Sequence, residues 1–158
     1  MKTIFKKDVA NKKIDVAREF AAPLDKTWKA WTDHKLLDQW WAPKPWKTET
    51  KTMDFTEGGH WLYSMVGPDG ERHWSKADYK KIFALNFFLM EQAFCDENGK
   101  RSSDSAGEWR VEFSATATGT KVEIHIAFSS EKHLQMMIER GFQQGFTMAM
   151  DNLDGLLN

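Results

Sequence analysis

Residues 131–158, EKHLQMMIERGFQQGFTMAMDNLDGLLN, decide the fold, because they read as one long amphipathic helix. Leu134, Ile138, Gly141, Phe142, Gly145, Ala149, Leu153 and Leu156 share one face at the i, i+3, i+4, i+7 spacing of a core-facing stripe. Lys132, Glu139, Arg140, Gln143, Thr147, Asp151 and Asp154 mostly fall opposite. Ser130 is a suitable N-cap, and Glu131 sets a carboxylate beside the positive end of the helix dipole. At the standard rise such a helix is roughly 40 Å long, enough to cross a small domain. Gly141 and Gly145 sit one turn apart in the stripe, and each costs about 1 kcal/mol relative to alanine. Either another backbone packs close there, or the missing side chains leave room for a ligand.

Working outward, 158 residues suit one domain spanning 1–158, with residues 1–12 as a solvated, lysine-rich N-terminal arm. Hydrophobic residues at 41% and charged residues at 28% are the proportions of a globular chain and argue against disorder. A net charge of −1 gives no reason to expect nucleic acid or acidic membranes as partners. No apolar run reaches the ~18 residues of a membrane-crossing helix. The N-terminus lacks the apolar core of a signal peptide, so a cytoplasmic location is expected. A single cysteine, Cys95, excludes an internal disulfide and any multi-cysteine metal site. The unusual feature is eight Trp, eleven Phe and eight Met. Such side chains fill a large core, or line a pocket that adapts to apolar ligands.

The rest of the chain supplies a sheet. Residues 13–20 read as an opening strand, with Ile14 and Val16, then Arg18 and Phe20, on shifting faces. After Ala22-Pro23, Leu24, Trp28 and Trp31 recur at helical spacing. Asp33 can cap a second short helix that Pro43 and Pro45 stop. Strands follow over 46–53, 60–66, 72–82 and 87–94, with Pro68-Asp69-Gly70 a hairpin turn and 100–105 a polar, mobile loop. The clearest alternation comes last. Trp109, Val111, Phe113 and Ala115 share a face, and Val122, Ile124, Ile126 and Phe128 answer them across a Gly119 hairpin. Strand, two short helices, a run of strands and a long helix make an α+β fold whose antiparallel sheet must wrap around the last helix.

Several motifs in this order resemble a known family. They are Arg18-Glu19-Phe20, Ala22-Pro23 and Trp28-Lys29-Ala30-Trp31-Thr32-Asp33, then Leu37, Trp40-Trp41 and Pro43. This run resembles the opening signature of SRPBCC (START-like) proteins, in the subgroup named for the activator of the ninety-kilodalton heat-shock chaperone's ATPase. Asp54, Gly58-Gly59, Trp61, Tyr63, Pro68-Asp69-Gly70, Gly119-Thr120 and Gly145-Phe146 also match, so the resemblance covers residues 13–157. It implies a helix-grip fold, as in the birch-pollen allergen, with a cavity between sheet and helix that often binds a lipid-like or polycyclic molecule. Two departures are Gly145-Phe146 where the subgroup usually has Gly-Trp, and an apolar Phe83-Ala84-Leu85-Asn86 turn where it usually has Pro and Glu. That turn could be a contact surface.

The chemistry on offer is sparse. His34, His60, His73, His125 and His133 show no metal-ligand spacing, and no nucleotide or nucleophile-elbow motif occurs. We therefore expect no metal, no cofactor and no catalytic residues. By alternation His60 and His125 face solvent, and Cys95 lacks a basic neighbour to activate it. Asp54 bonds local backbone at its turn, and Trp40-Trp41 either rim a cavity or close one end of the core. The expected function is binding of an apolar or amphipathic small molecule by Trp61, Tyr63, Trp109, Val111, Ile138, Gly141, Phe142 and Gly145. The alternative is an enzyme of the cyclase, dehydratase or hydrolase kind, which needs two ionisable groups converging in the cavity. The subgroup's name also suggests a chaperone regulator. Its true activators add a separate chaperone-binding domain, for which 158 residues leave no room. Expected partners are the apolar ligand and a second copy in a homodimer, with no nucleic acid and no membrane insertion.

Overall fold

Alternation along the strands becomes a sheet with one apolar and one polar face. The computed structural model describes residues 2–158. The order is β1 (Ile4–Asp8), β2 (Lys13–Phe20), α1 (Leu24–Thr32), α2 (His34–Trp40), β3 (Lys47–Met53), β4 (His60–Val66), β5 (Arg72–Phe83), β6 (Phe87–Phe94), β7 (Gly107–Ala115), β8 (Thr120–Phe128), α3 (Glu131–Glu139) and α4 (Phe142–Leu157). The strands form one curved, eight-stranded antiparallel sheet in the order β1-β2-β8-β7-β6-β5-β4-β3. Register shifts at Thr50/Thr52 and Tyr79/Lys81 add local twist where the sheet bends. Among the described residues no helix is long and apolar enough to cross a membrane.

The strand phases follow the apolar pattern. Trp61, Tyr63, Trp109, Val111 and Ile124 are buried on the concave face, around one core with α1, α2 and α4. In β2 the structure corrects the expectation of shifting faces. Ile14, Val16, Arg18 and Phe20 all point inward. A buried arginine fits there because its Nη1 donates to Asp151 Oδ1 at 2.6 Å and its Nη2 lies 3.5 Å from Asp154 Oδ2, tying β2 to α4. Residues 4–8, read as part of a solvated arm, pair with β2 as an edge strand, although Ile4 stays exposed.

The larger correction concerns the last helix. It is two helices, because Gly141 adopts the left-handed conformation at φ +83° between Arg140 and Phe142. Gly141 N–H donates to Ile138 O at 3.1 Å, and Arg140 N–H to Met136 O at 3.0 Å, which closes α3 on its last carbonyls. A glycine just past a helix end takes this conformation without the Cβ penalty other residues pay. The apolar stripe does not run straight through the break: Leu134 of α3 and Ala149 and Leu153 of α4 are buried, while Ile138 is only half-buried. The two expected caps form: the Ser130 hydroxyl accepts from His133 N–H, and the Asp33 carboxylate from Lys35 N–H.

Candidate functional site

The break in the helix leaves a hollow of about 300 Å³ between it and the sheet. Its floor is Tyr63 and Met65 of β4, His73 and Ser75 of β5, and Gln92 and Phe94 of β6. Trp109 of β7 and Phe128 of β8 continue it. The roof is His133 and Met137 of α3, Arg140 and Gly141 at the break, and Phe142, Gly145 and Phe146 of α4. Trp41 and Pro43, just after α2, close one end. The rings interlock edge to face: Trp109 meets Phe146 at 5.6 Å and Phe142 at 6.3 Å between centroids, and Trp41 meets Phe146 at 6.0 Å. Gly145 faces this space. A Cβ added there would meet only Pro43 Cγ, at an ordinary 3.7 Å.

Of the residues expected to hold a ligand, Tyr63, Trp109, Gly141, Phe142 and Gly145 line the hollow, and Trp61, Val111 and Ile138 do not. Trp61 stacks on Tyr63 at 3.9 Å and gives its indole N–H to Thr50 Oγ1, so it supports the wall from behind. Val111 lies one inward step beyond Trp109, under α1, in solid core. Ile138 is only half-buried, because α3 turns independently of α4 and presents His133, Met137 and Arg140 at i, i+4 and i+7 instead. Trp40 and Trp41 divide the two roles weighed for them: Trp40 is wholly buried core, and Trp41 lines the hollow.

Polar groups in the hollow are few and mostly neutral. Trp41 Nε1 donates to the Tyr63 hydroxyl at 3.1 Å, and that hydroxyl donates to Gln92 Oε1 at 3.1 Å. Burial pushes the Tyr63 phenol up to about 12, against the hydrogen bonds that lower it, so its proton stays on at ordinary pH. Burial likewise lowers the pKa of His133, more than the nearby Asp104 raises it. His133 Nδ1 has no hydrogen-bond partner, and its ring packs edge-on against Phe128 at 5.3 Å. His73 packs against Trp46. Periodicity centred on Leu134 and Ile138 pointed away from His133, although counting from the Ser130 cap places it at the third helical position.

Past His73, Phe94, Ser105, His133 and Arg140 the hollow adjoins a broader groove of about 860 Å³. Arg72, Lys132, Asp104 and Glu139 give this outer part a polar wall.

On the opposite face, Glu112, Glu123 and His125 bring their ligating atoms within 4.8 Å of one another, a group that could hold a cation. Both imidazole nitrogens are already engaged, Nδ1 with Asp15 Oδ1 at 2.6 Å and Nε2 with Glu112 Oε1 at 3.0 Å. Partial burial opposes charge on His125, but these two carboxylates outweigh it and raise its pKa. The imidazole thus fills the place between the carboxylates that a cation would take. Elsewhere, Glu91 is held by Arg101, and burial raises the Cys95 thiol pKa. The Asp54 carboxylate accepts from the Thr56 hydroxyl rather than from a backbone N–H.

The sequence profile described as Activator of Hsp90 ATPase homolog 1-like protein matches residues 21–158. The chain belongs to this family. A comparison with curated protein sequences finds no match. Among solved structures, the chain is similar to a protein from Arthrobacter aurescens, with 29% identity and a TM-score of 0.91 over 98% of this chain and 90% of that one. Protein Ms6760 from Mycobacterium smegmatis is similar at 25% identity and a TM-score of 0.90, over 99% and 96%. An AHSA1 protein from Silicibacter pomeroyi, at 16% identity and a TM-score of 0.73 over 92% and 96%, shares the fold. The activator-homolog family thus carries this SRPBCC, START-like architecture, a fold that often binds hydrophobic ligands.

Proposed function

We propose that the chain binds an apolar or amphipathic small molecule, lipid-like or polycyclic, in the chamber between the sheet and the C-terminal helices, and does no chemistry on it. The observation that carries this reading is the hollow itself, walled by Trp109, Phe128, Met137, Phe142 and Phe146 where a core would otherwise close. An apolar molecule of suitable shape gains there by leaving water, and the flexible Met137 side chain adapts to its outline. The polar groups present do not form a reacting set. Tyr63 keeps its proton, and His133 has no partner on Nδ1 to orient it as a base. Chaperone regulation, which the family's name attributes to its namesake, gains no support from the chamber.

Native mass spectrometry of freshly purified protein, followed by titration of the stripped protein with the neutral dye 1-aminoanthracene, tests the proposal. A retained small molecule, or saturable one-to-one dye uptake, is the expected result. A protein that retains nothing and takes up no dye would overturn it.

A further inference from the structure

We infer that the molecule held in the chamber carries a hydrogen-bond-accepting oxygen, of the ketone, ester or quinone kind, and that the side-chain amide of Gln92 reads it. This deepens the ligand-binding reading and rests on it. An indole N–H can only donate, so the contact from Trp41 Nε1 occupies a lone pair of the Tyr63 oxygen. The phenol proton then goes to Gln92 Oε1. In this arrangement the Gln92 amide sits with its carbonyl end at Tyr63 and its NH2 end turned away. A primary amide NH2 carries two donors, yet among the described residues Gln92 Nε2 meets only the Met90 thioether sulfur, a weak acceptor at 4.0 Å. Gln92 is nine-tenths buried, and a buried amide without an oxygen acceptor is costly to keep. It lines the chamber, so an oxygen placed there by a ligand would complete its bonding.

The neighbours leave room for that oxygen. Across the sheet Gln92 pairs with Ala77 on one side and Gly107 on the other, and Gly107 also lines the chamber. Two minimal side chains beside one glutamine leave its amide open, where larger ones would cover it. Gln92 is thus the specificity-determining residue of the site. It admits hydrocarbon bodies and favours those with an inward-pointing carbonyl.

The test uses two molecules with one skeleton, fluorene and 9-fluorenone, each displacing 1-aminoanthracene from wild type and from Gln92→Met. Wild type should favour 9-fluorenone by about tenfold more than Gln92→Met does, the scale of one buried hydrogen bond. The carbonyl stretch of bound 9-fluorenone should lie below its position in hexane and move back towards it in Gln92→Met. Should that variant fail to fold, the Gln92 side-chain NH2 signals in wild-type NMR serve instead. They should move with 9-fluorenone and not with fluorene. If the two compounds bind wild type alike and leave the Gln92 signals unmoved, the inference is wrong while the chamber stands. If neither binds, the ligand-binding reading fails, and this inference with it.

Discussion

The two ends of the space between helices and sheet are built from the same residue types and come out differently. Under α1 and α2 the rings fill it. Trp28 meets Phe113 at 5.0 Å and Phe88 at 5.9 Å, Trp31 meets Trp40 at 4.8 Å, and Trp31, Trp40 and Phe88 are almost wholly buried. Under the α3–α4 break, Trp109, Phe142 and Phe146 stand around a space of about 300 Å³. Aromatic content therefore does not decide between core and pocket. The placing of the covering elements does, because α1 and α2 set their rings against the sheet while the α3–α4 junction stands over open space.

The largest effect expected from this difference is in stability. Trp31→Ala should cost about 3–5 kcal/mol, the range for truncating a large ring in a filled core. Phe142→Ala, on the chamber wall and already half-exposed, should cost less than about half of that. Denaturant midpoints would measure both, and equal losses would mean that the two ends are packed alike.

Next come the two glycines, which the stripe treats as equivalent and the structure separates. Gly141→Ala forces a Cβ into the left-handed region and should destabilise by about 1–2 kcal/mol. Gly145→Ala has open space and should be neutral or stabilising by up to about 1 kcal/mol. Opposite signs in thermal melts support the break; equal losses would argue for close packing at both.

The smallest effect contrasts two histidines on opposite faces. The raised pKa of His125 makes its bonds to Asp15 and Glu112 stabilising. That contribution is fully present below the unfolded value of about 6.5 and is lost as pH rises through the folded value. The groups are more than a third exposed, so Asp15→Asn should remove less than about 1 kcal/mol, and mainly at low pH. His133 has the opposite sign. Its lowered pKa makes stability fall as pH drops below about 6.5, so His133→Gln should lose less stability on acidification than wild type. Urea melts at pH 5 and pH 8 would separate the two, and like-signed pH dependence would contradict the assignment.

Much of the architecture was legible because strands carry a period of two and a buried face enforces it. Trp109, Val111 and Phe113 against Val122, Ile124 and Ile126 are the clearest case. Ile138 failed that reading. A helical wheel assumes one continuous axis, and Arg140-Gly141 interrupts it with a backbone conformation that periodicity does not register. A basic residue followed by glycine, here Arg140 at the C-cap and Gly141 after it, was the available signal. The edge strand Ile4–Asp8 was hidden for another reason. Its side chains are polar, exposed like Ile4 or half-buried like Phe5, and its partner β2 supplies the order through backbone bonds. Gln92 was illegible altogether. Its importance comes from a donor chain through Trp41 and Tyr63, residues distant in sequence that only the folded sheet brings together.

If the space beside Gly145 is the proposed binding chamber and not unfilled core, a side chain placed there will compete with ligand without disturbing the fold. The most direct measurement pairs the melting temperature of Gly145→Leu with its uptake of 1-aminoanthracene. A leucine there projects into the hollow, so the account predicts a melting temperature held or raised together with dye affinity reduced at least about tenfold, the loss expected when roughly 1.4 kcal/mol of apolar burial is forfeited. A variant that loses more than about 1 kcal/mol of stability, the onset of overpacking, or binds dye as wild type does, would contradict it.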